Sequence, residues 1–220
     1  MKREIIQTLD GSTTIHLKDW DECYHSKHGA IQEAQHVFIK NGLSLFENTQ
    51  VSILEIGFGT GLNAFITFLE SKKLKLPIDY VGVEAYPVSS EEVLCMNYVA
   101  ELNAENEAVV FEEMHKSNWN EKIILSPDFK FTKRKQFFDT IDDIEQFDLI
   151  YFDAFGYRVQ PELWSTAIFQ RMFNALKPKG KLVTYAARGV VKRSMIEVGF
   201  TVEKLAGPPG KREMFRASKP

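Results

Sequence analysis

The stretch Val51-Ser52-Ile53-Leu54-Glu55-Ile56-Gly57-Phe58-Gly59-Thr60-Gly61-Leu62-Asn63 constrains this chain more than any other. It begins as a short apolar run rich in β-branched residues, which reads as a buried strand. It then breaks into three glycines at alternate positions, and the apolar run from Leu62 to Leu69 reads as the helix that follows. Glycine has no Cβ and tolerates positive φ, so such a turn lets backbone approach a ligand closely. The helix start adds N–H groups that lack partners within the helix. A site for a nucleotide-like cofactor is the expectation. The next strand, Ile78 to Glu84, ends in an acid about 25 residues beyond the glycines, where a carboxylate can accept both ribose hydroxyls. Glu84 is the expected ribose ligand, with Ala85 beside it.

The spacing discriminates among cofactors. A dinucleotide site asks for G-x-G-x-x-G, and Leu62 stands where the last glycine would fall. A P-loop asks for Gly-Lys-Ser/Thr, which is absent. The pattern E-I-G-F-G-T-G instead resembles the first motif of S-adenosylmethionine-dependent methyltransferases of the Rossmann-like class. That resemblance extends the cofactor-binding set to Glu55, Gly57, Phe58, Gly59, Thr60, Gly61 and Asn63.

At 220 residues and 44% hydrophobic, the chain suffices for one well-packed α/β domain with a small appendage. No run of eighteen apolar residues suggests a membrane span, and Met1 to Ile6 lacks the apolar core of a signal peptide. A cytosolic location is expected. Cys23 and Cys95 form no C-x-x-C pair, so neither zinc nor a disulfide framework is suggested. Four of the five histidines fall between His16 and His36, but their spacing is irregular and no metal is expected. The net charge of −3 is unevenly spread. From Arg171 onward twelve basic residues face three acidic ones, a local +9, while the remainder sets 15 basic against 27 acidic, a local −12. Such segregation can put a basic face on an acidic protein and steer a polyanion; it can equally be a solubilising lysine surface.

In chain order, Glu4 to Leu9 and Thr13 to Leu17 alternate as strands around an Asp10-Gly11 turn, and Ile31, Ala34, Val37 and Phe38 have helical spacing. These define an N-terminal extension over 1–48, outside the nucleotide-binding core, followed by a cofactor-binding domain over 49–220. Val88 to Leu102 reads as a helix started by Ser89 or Ser90, Val109 to Phe111 as a strand, and Asn118 to Phe138 as the least regular segment. No acid stands where an adenine amino group would be met; Lys135 and Gln136 occupy that place. Phe147 to Gly156 is a second buried strand, and Asp153 near its end would project at the carboxyl edge of the sheet, where open α/β folds place ligands. Pro161 opens a helix carrying Trp164, Ile168, Phe169, Met172 and Leu176. These aromatics read as core, except that Trp164 falls in the first turn near the site. Lys181 to Ala186, a helix over Gly189 to Val198, and a closing pair Thr201–Leu205 and Glu213–Arg216 complete a mostly parallel sheet ending in an antiparallel hairpin.

Taken together, Y-H-S-K-H-G-A-I-Q-E-A-Q-H-V-F-I, G-F-G-T-G-L-N, F-D-A-F, P-E-L-W, P-K-G-K-L-V-T-Y, V-K-R-S-M-x-x-x-G-F and G-K-R-E-M resemble the methyltransferase domain of the bacterial tRNA 5-methylaminomethyl-2-thiouridine biosynthesis proteins. The resemblance implies methyl transfer from S-adenosylmethionine to the aminomethyl nitrogen on uridine 34 of certain tRNAs. It implies that Gly57, Gly59, Gly61 and Asn63 hold the methionine part, Glu84 the ribose, and that Asp153 and Phe155 shape the methyl-transfer site. Glu33 and Lys211-Arg212-Glu213 would line its rim. Lys192, Arg193, Lys211 and Arg212 are the expected phosphate contacts around an anticodon loop, with Tyr157 or Trp164 stacking on a base. Two-domain members carry a flavin-dependent oxidase after this domain. This sequence ends at Pro220, so no flavin is expected, and a separate oxidase would supply the precursor. The family's Ala-Pro after F-D-A-F is Gly156-Tyr157 here, and its Gly-Phe-Gly before Lys-Arg is Gly207-Pro208-Pro209-Gly210. The rival expectations are transfer of a methyl or aminopropyl group to a small amine, and a non-catalytic cofactor-binding module.

Overall fold

The computed structural model describes residues 2–220; Met1, part of the N-terminal reading, lies outside the described residues. Eleven strands are described: β1 (Arg3–Gln7), β2 (Thr13–Leu17), β3 (Glu22–Cys23), β4 (Val51–Ile56), β5 (Ile78–Glu84), β6 (Lys122–Ser126), β7 (Phe129–Lys135), β8 (Phe147–Phe152), β9 (Leu176–Thr184), β10 (Thr201–Ala206) and β11 (Glu213–Ser218). The helices are α1 (Ala30–Ala34), α2 (Leu62–Leu74), α3 (Ser90–Leu94), α4 (Tyr98–Glu101), α5 (Ala108–Lys116), α6 (Thr166–Ala175) and α7 (Gly189–Glu197), and α1 continues into a π-helical turn over Gln35–Lys40.

The main sheet has eight strands in the order β10-β11-β9-β8-β4-β5-β7-β6. β4, β5, β7, β8 and β9 are parallel, while β11 runs antiparallel to β9 and β10, and β6 antiparallel to β7. The central strands are apolar on both faces because helices cover both. On one face Phe65, Phe68, Tyr80, Phe129, Phe131 and Tyr151 form a core; on the other, Phe152, Trp164, Phe169, Met172, Met195 and Phe215 form a second. Leu62 to Phe68 of α2 are buried all round, the mark of a helix enclosed by its own protein. The chain leaves β4 toward β5 on one side, and β8 pairs on the other, so a crevice opens at the carboxyl ends of these strands.

The N-terminal hairpin forms as its alternation predicts, with Ile5 opposite Ile15, and β3 adds a third strand. Its buried residues Ile15 and Leu17 join the same core as α2 and β4. Four sequence expectations need correction. Pro161 opens only a 3-10 turn over Pro161–Trp164, α6 starts after the Ser165 cap, and Leu176 already belongs to β9. Val109 to Phe111 is not a strand but part of α5: three apolar residues are too few to fix a period, and burial of Phe111 and Met114 follows helical spacing. The segment from Asn118 is not irregular but a β6–β7 hairpin, turning at Pro127-Asp128, with Phe129 and Phe131 buried on one face. The helix expected over Val88 to Leu102 starts at a Ser89–Glu92 capping box but splits into α3 and α4. Asn97 at the break bonds the β1–β2 hairpin instead, accepting from the Thr13 N–H at 2.8 Å and donating to the Gly11 carbonyl at 2.9 Å.

Candidate functional site

The glycine turn follows β4 directly, and its conformation explains its composition. Gly57 has φ +93, and a Cβ there would lie 2.5 Å from the Asp153 carbonyl oxygen, so glycine alone lets this turn meet the end of β8. Gly61, at φ +76, sets the left-handed residue from which α2 starts. The Gly59 N–H donates to Glu84 Oε2 at 3.0 Å, and the Tyr86 N–H donates to Glu84 Oε1 at 2.9 Å. The acid at the end of β5 is thereby aimed across the turn.

Between these elements lies a cavity of about 810 Å3, within the range of small-molecule sites. Gly57, Phe58, Gly59, Asn63, Glu84, Ala85, Asp153 and Phe155, all expected from sequence, come together on its wall. The N-terminal extension supplies another part of that wall through Arg3, Leu17, Trp20, Tyr24 and His25, although its sequence placed it outside the nucleotide-binding core. Trp20 and Tyr24 meet the Phe155 ring edge-on, with centroids at 5.8 and 4.9 Å. A further part is built by Phe137, Phe138, Leu163 and Ile168, with the Asp139 carboxyl among them. The sequence offers no acid at Lys135-Gln136; the structure places Asp139, three residues beyond Gln136, on this wall.

Beneath the wall runs a chain of polar groups. The Asn63 side-chain N–H2 donates to Glu55 Oε1 at 2.9 Å and to Asp153 Oδ2 at 2.8 Å. Glu55 is fully buried, and burial foremost raises its pKa well above the ordinary carboxylate value, which favours its neutral form. Asp153 is partly exposed and lines the cavity. Burial, and next the Glu33 charge, push its pKa up to about 7, against the lowering effects of Asn63 and Lys211. His25, whose Nδ1 lies 3.0 Å from the Thr14 hydroxyl, is pushed down to about 4 by burial and by Lys211, and is neutral at pH 7. Asp153 is therefore the wall group poised to change protonation near neutrality.

Other expected site residues lie elsewhere. Glu55 braces Asn63 from below and does not reach the cavity; Thr60 is buried with its hydroxyl 2.9 Å from that of Tyr98; Gly61 serves the helix start. Trp164 is fully buried and its indole N–H donates to the Phe155 carbonyl at 2.8 Å, so it offers no face to a base and instead supports the Phe155 loop. Tyr157 is half-buried, with the Arg188 guanidinium 5.4 Å over its ring. Glu33 and Lys211 pair with each other behind Tyr185. Lys192 and Arg193 on α7, and Arg212, make no ion pair among the described residues, and the charges of Lys192 and Arg212 both reach Glu213. Among the described residues no cluster of metal-ligating side chains occurs, and no helix is long and apolar enough to cross a membrane.

The wall fits S-adenosylmethionine in three respects. The Gly57 turn leaves a cradle that a Cβ would fill, Glu84 offers a paired acceptor, and the buried Asn63 Oδ1 has no partner among the described residues, an acceptor suited to an amino group.

The comparisons agree. Curated relatives include the tRNA 5-methylaminomethyl-2-thiouridine biosynthesis bifunctional proteins of Hydrogenovibrio crunogenus, 25% identical over 89% of this chain and 31% of the relative, and of Nitrosospira multiformis, 28% identical over 90% and 34%. The chain thus spans about a third of the length of these curated relatives. The crystal structure of MnmC2 from Aquifex aeolicus has the same fold, with a TM-score of 0.79 at 23% identity over 100% of this chain and 71% of that one. Spermidine synthase from Thermotoga maritima is more distant, with a TM-score of 0.59 at 14% identity over 99% and 68%. A family model described as S-adenosyl-L-methionine-dependent methyltransferase matches residues 105–220, and this chain belongs to that family.

Proposed function

We propose that this protein methylates the aminomethyl nitrogen of 5-aminomethyl-2-thiouridine at the wobble position of tRNA. The observation that carries the chemistry is Asp153: a cavity-wall carboxyl held by Asn63, with a pKa near 7. The likeness to the tRNA-modifying relatives supports the substrate.

Glu84 would accept the ribose hydroxyls, Asp139 the adenine amino group between Phe137, Leu163 and Ile168, and Asn63 the methionine amino group. Bound there, S-adenosylmethionine supplies a methyl group on a positively charged sulfur, which a neutral amine can displace. An alkylammonium has a pKa near ~10 and arrives protonated at neutral pH. Asp153 in its carboxylate form orients that ammonium and accepts its proton, directly or through one water. Apolar walls from Tyr24, Phe155 and the N-terminal extension would lower the local dielectric, which strengthens these charge interactions. Outside, Lys192, Arg193 and Arg212 would contact phosphates of the anticodon loop.

The test is incubation with S-adenosylmethionine and tRNA from cells lacking this methylation, followed by nucleoside mass spectrometry. A gain of one methyl on 5-aminomethyl-2-thiouridine is expected. An unchanged profile, with cofactor binding intact, refutes the substrate and favours transfer to a small amine, a reading that the spermidine synthase fold also accommodates.

A further inference from the structure

Glu33, Lys211 and Tyr185 form a cluster that cofactor binding leaves unused. Glu33, on α1, is 7% exposed; its Oε1 accepts the Ser26 N–H at 3.2 Å and its Oε2 holds the Lys211 ammonium. The same ammonium lies 4.1 Å from the centroid of the Tyr185 ring. Tyr185 faces the cavity, and its hydroxyl donates to the Ala154 carbonyl at 2.8 Å, which fixes the ring beside Asp153. A single ammonium is therefore held by a buried carboxylate and an aromatic face, against the wall that carries the proposed base. A carboxylate this buried needs a cation beside it, and a tyrosine face attracts one.

The cation now there is replaceable. Lys211 lies on the turn joining β10 to β11, closed by Gly207 N–H to the Arg212 carbonyl at 3.2 Å and by Lys211 N–H to the Pro208 carbonyl at 2.9 Å. Its side chain is a flexible stem ending in a primary alkylammonium, the same chemical group as a protonated aminomethyl substituent.

We propose that Glu33 and Tyr185 form a primary-ammonium subsite, which Lys211 fills in the free protein and the aminomethyl group of the substrate fills in the complex. This deepens the amine-methylation reading above and rests on it. Exchange of one ammonium for another leaves the buried Glu33 charge compensated throughout. An amine bearing its own carboxylate would face both Glu33 and Asp153 and be repelled, so the subsite selects the unsubstituted amine. Lys211 is then a stand-in for substrate and not a phosphate contact.

The probe is propylammonium chloride, compared with sodium chloride at equal ionic strength, on the protein without RNA. Lys211→Met keeps the stem and removes the charge, so its melting temperature should rise saturably with propylammonium, while that of the wild type and of the Lys211→Met, Glu33→Gln double variant should not. With tRNA carrying the aminomethyl group, Lys211→Met should lower KM, by ~10-fold if Lys211 fills the subsite nine-tenths of the time, with kcat little changed. Glu33→Gln, which buries no charge, should raise KM without altering cofactor affinity. An equal propylammonium response in the single and double variants, a raised KM in Lys211→Met, or an unchanged KM in Glu33→Gln overturns the proposal. If the wild type leaves the tRNA unmethylated while Lys211→Met still responds to propylammonium, the subsite stands and the RNA substrate falls.

Discussion

Replacing Asp153 by Asn should make the cofactor-free protein more stable at alkaline pH. The folded pKa of Asp153 is raised from 3.8 to about 7, so between these values the folded state holds a proton that the unfolded chain has lost. The associated stability is fully present below pH ~4 and is lost as pH rises through ~7. At 1.36 kcal/mol per pH unit the full difference is about 4 kcal/mol, of which about 1.7 is gone by pH 5 and about 2.6 more goes by pH 8. Asn keeps the shape and an oxygen to accept from Asn63, but it does not titrate. Urea unfolding of both proteins at pH 5 and pH 8 is the assay. The stability of Asp153→Asn relative to wild type should increase by ~2–3 kcal/mol from pH 5 to pH 8. Glu55 is coupled to Asp153 through Asn63 and through charge, so the comparison reports how removing the Asp153 carboxyl changes the pair. Two stability curves that run parallel from pH 5 to pH 8 would refute the assignment of a raised pKa to this carboxyl.

If Asp153 acts as the base proposed above, kcat/KM should rise with pH through about 7, and the kcat limb should lie lower, because a sulfonium beside Asp153 favours its ionised form; a profile flat from pH 5.5 to 8 contradicts this. Asn63→Leu removes both bonds that tie Glu55 to Asp153, and should cost ~2–4 kcal/mol of stability together with cofactor affinity, measured by urea unfolding and calorimetry. Gly57→Ala forces a Cβ to 2.5 Å from the Asp153 carbonyl at φ +93, so cofactor affinity should fall at least ~10-fold, a weakened affinity expected even if the protein relaxes by ~1–3 kcal/mol of strain. Arg212→Glu should raise KM for tRNA and reduce the slope of log KM against log salt by ~1, with cofactor affinity unchanged.

The parts legible in the sequence are those where one local signal serves one purpose. β4 and the glycine turn form as the sequence predicts, and Glu84 ends β5, because a buried parallel strand and a positive-φ turn each demand a residue type. The closing pair Thr201–Leu205 and Glu213–Arg216 forms the β10–β11 hairpin as expected. What was hidden depends on contacts across the fold. The split between α3 and α4 follows from Asn97 bonding Gly11 and Thr13, more than eighty residues away. Trp164 looked available because it lies near the site in sequence, yet its ring packs with Phe152 and Phe169. The N-terminal contribution of Tyr24 and His25 to the cavity has no local signature, since it arises only when the hairpin docks over the glycine turn.

The uneven charge acquires a physical sense once the site is placed. Acids face the interior: Glu84, Asp139 and Asp153 line the cavity, and Glu33 stands behind Tyr185. Arg3 and Arg171 also reach the cavity wall, while Lys192 and Arg212 lie around Glu213 beside the turn that carries Lys211. An interior of this sign favours cations, both a sulfonium and a protonated amine, and the raised pKa of Asp153 is the free-protein cost of keeping such a site without its counter-charges. A cation entering beside Asp153 relieves that cost, so ligand binding and ionisation of the base reinforce each other. The patch of Lys192, Arg193 and Arg212 would have the opposite preference and suit a polyanion. A small free amine would use the first property and have no need of the second. An amine displayed on RNA uses both, and that combination is why the basic segment weighs toward a nucleic-acid substrate rather than a solubilising surface.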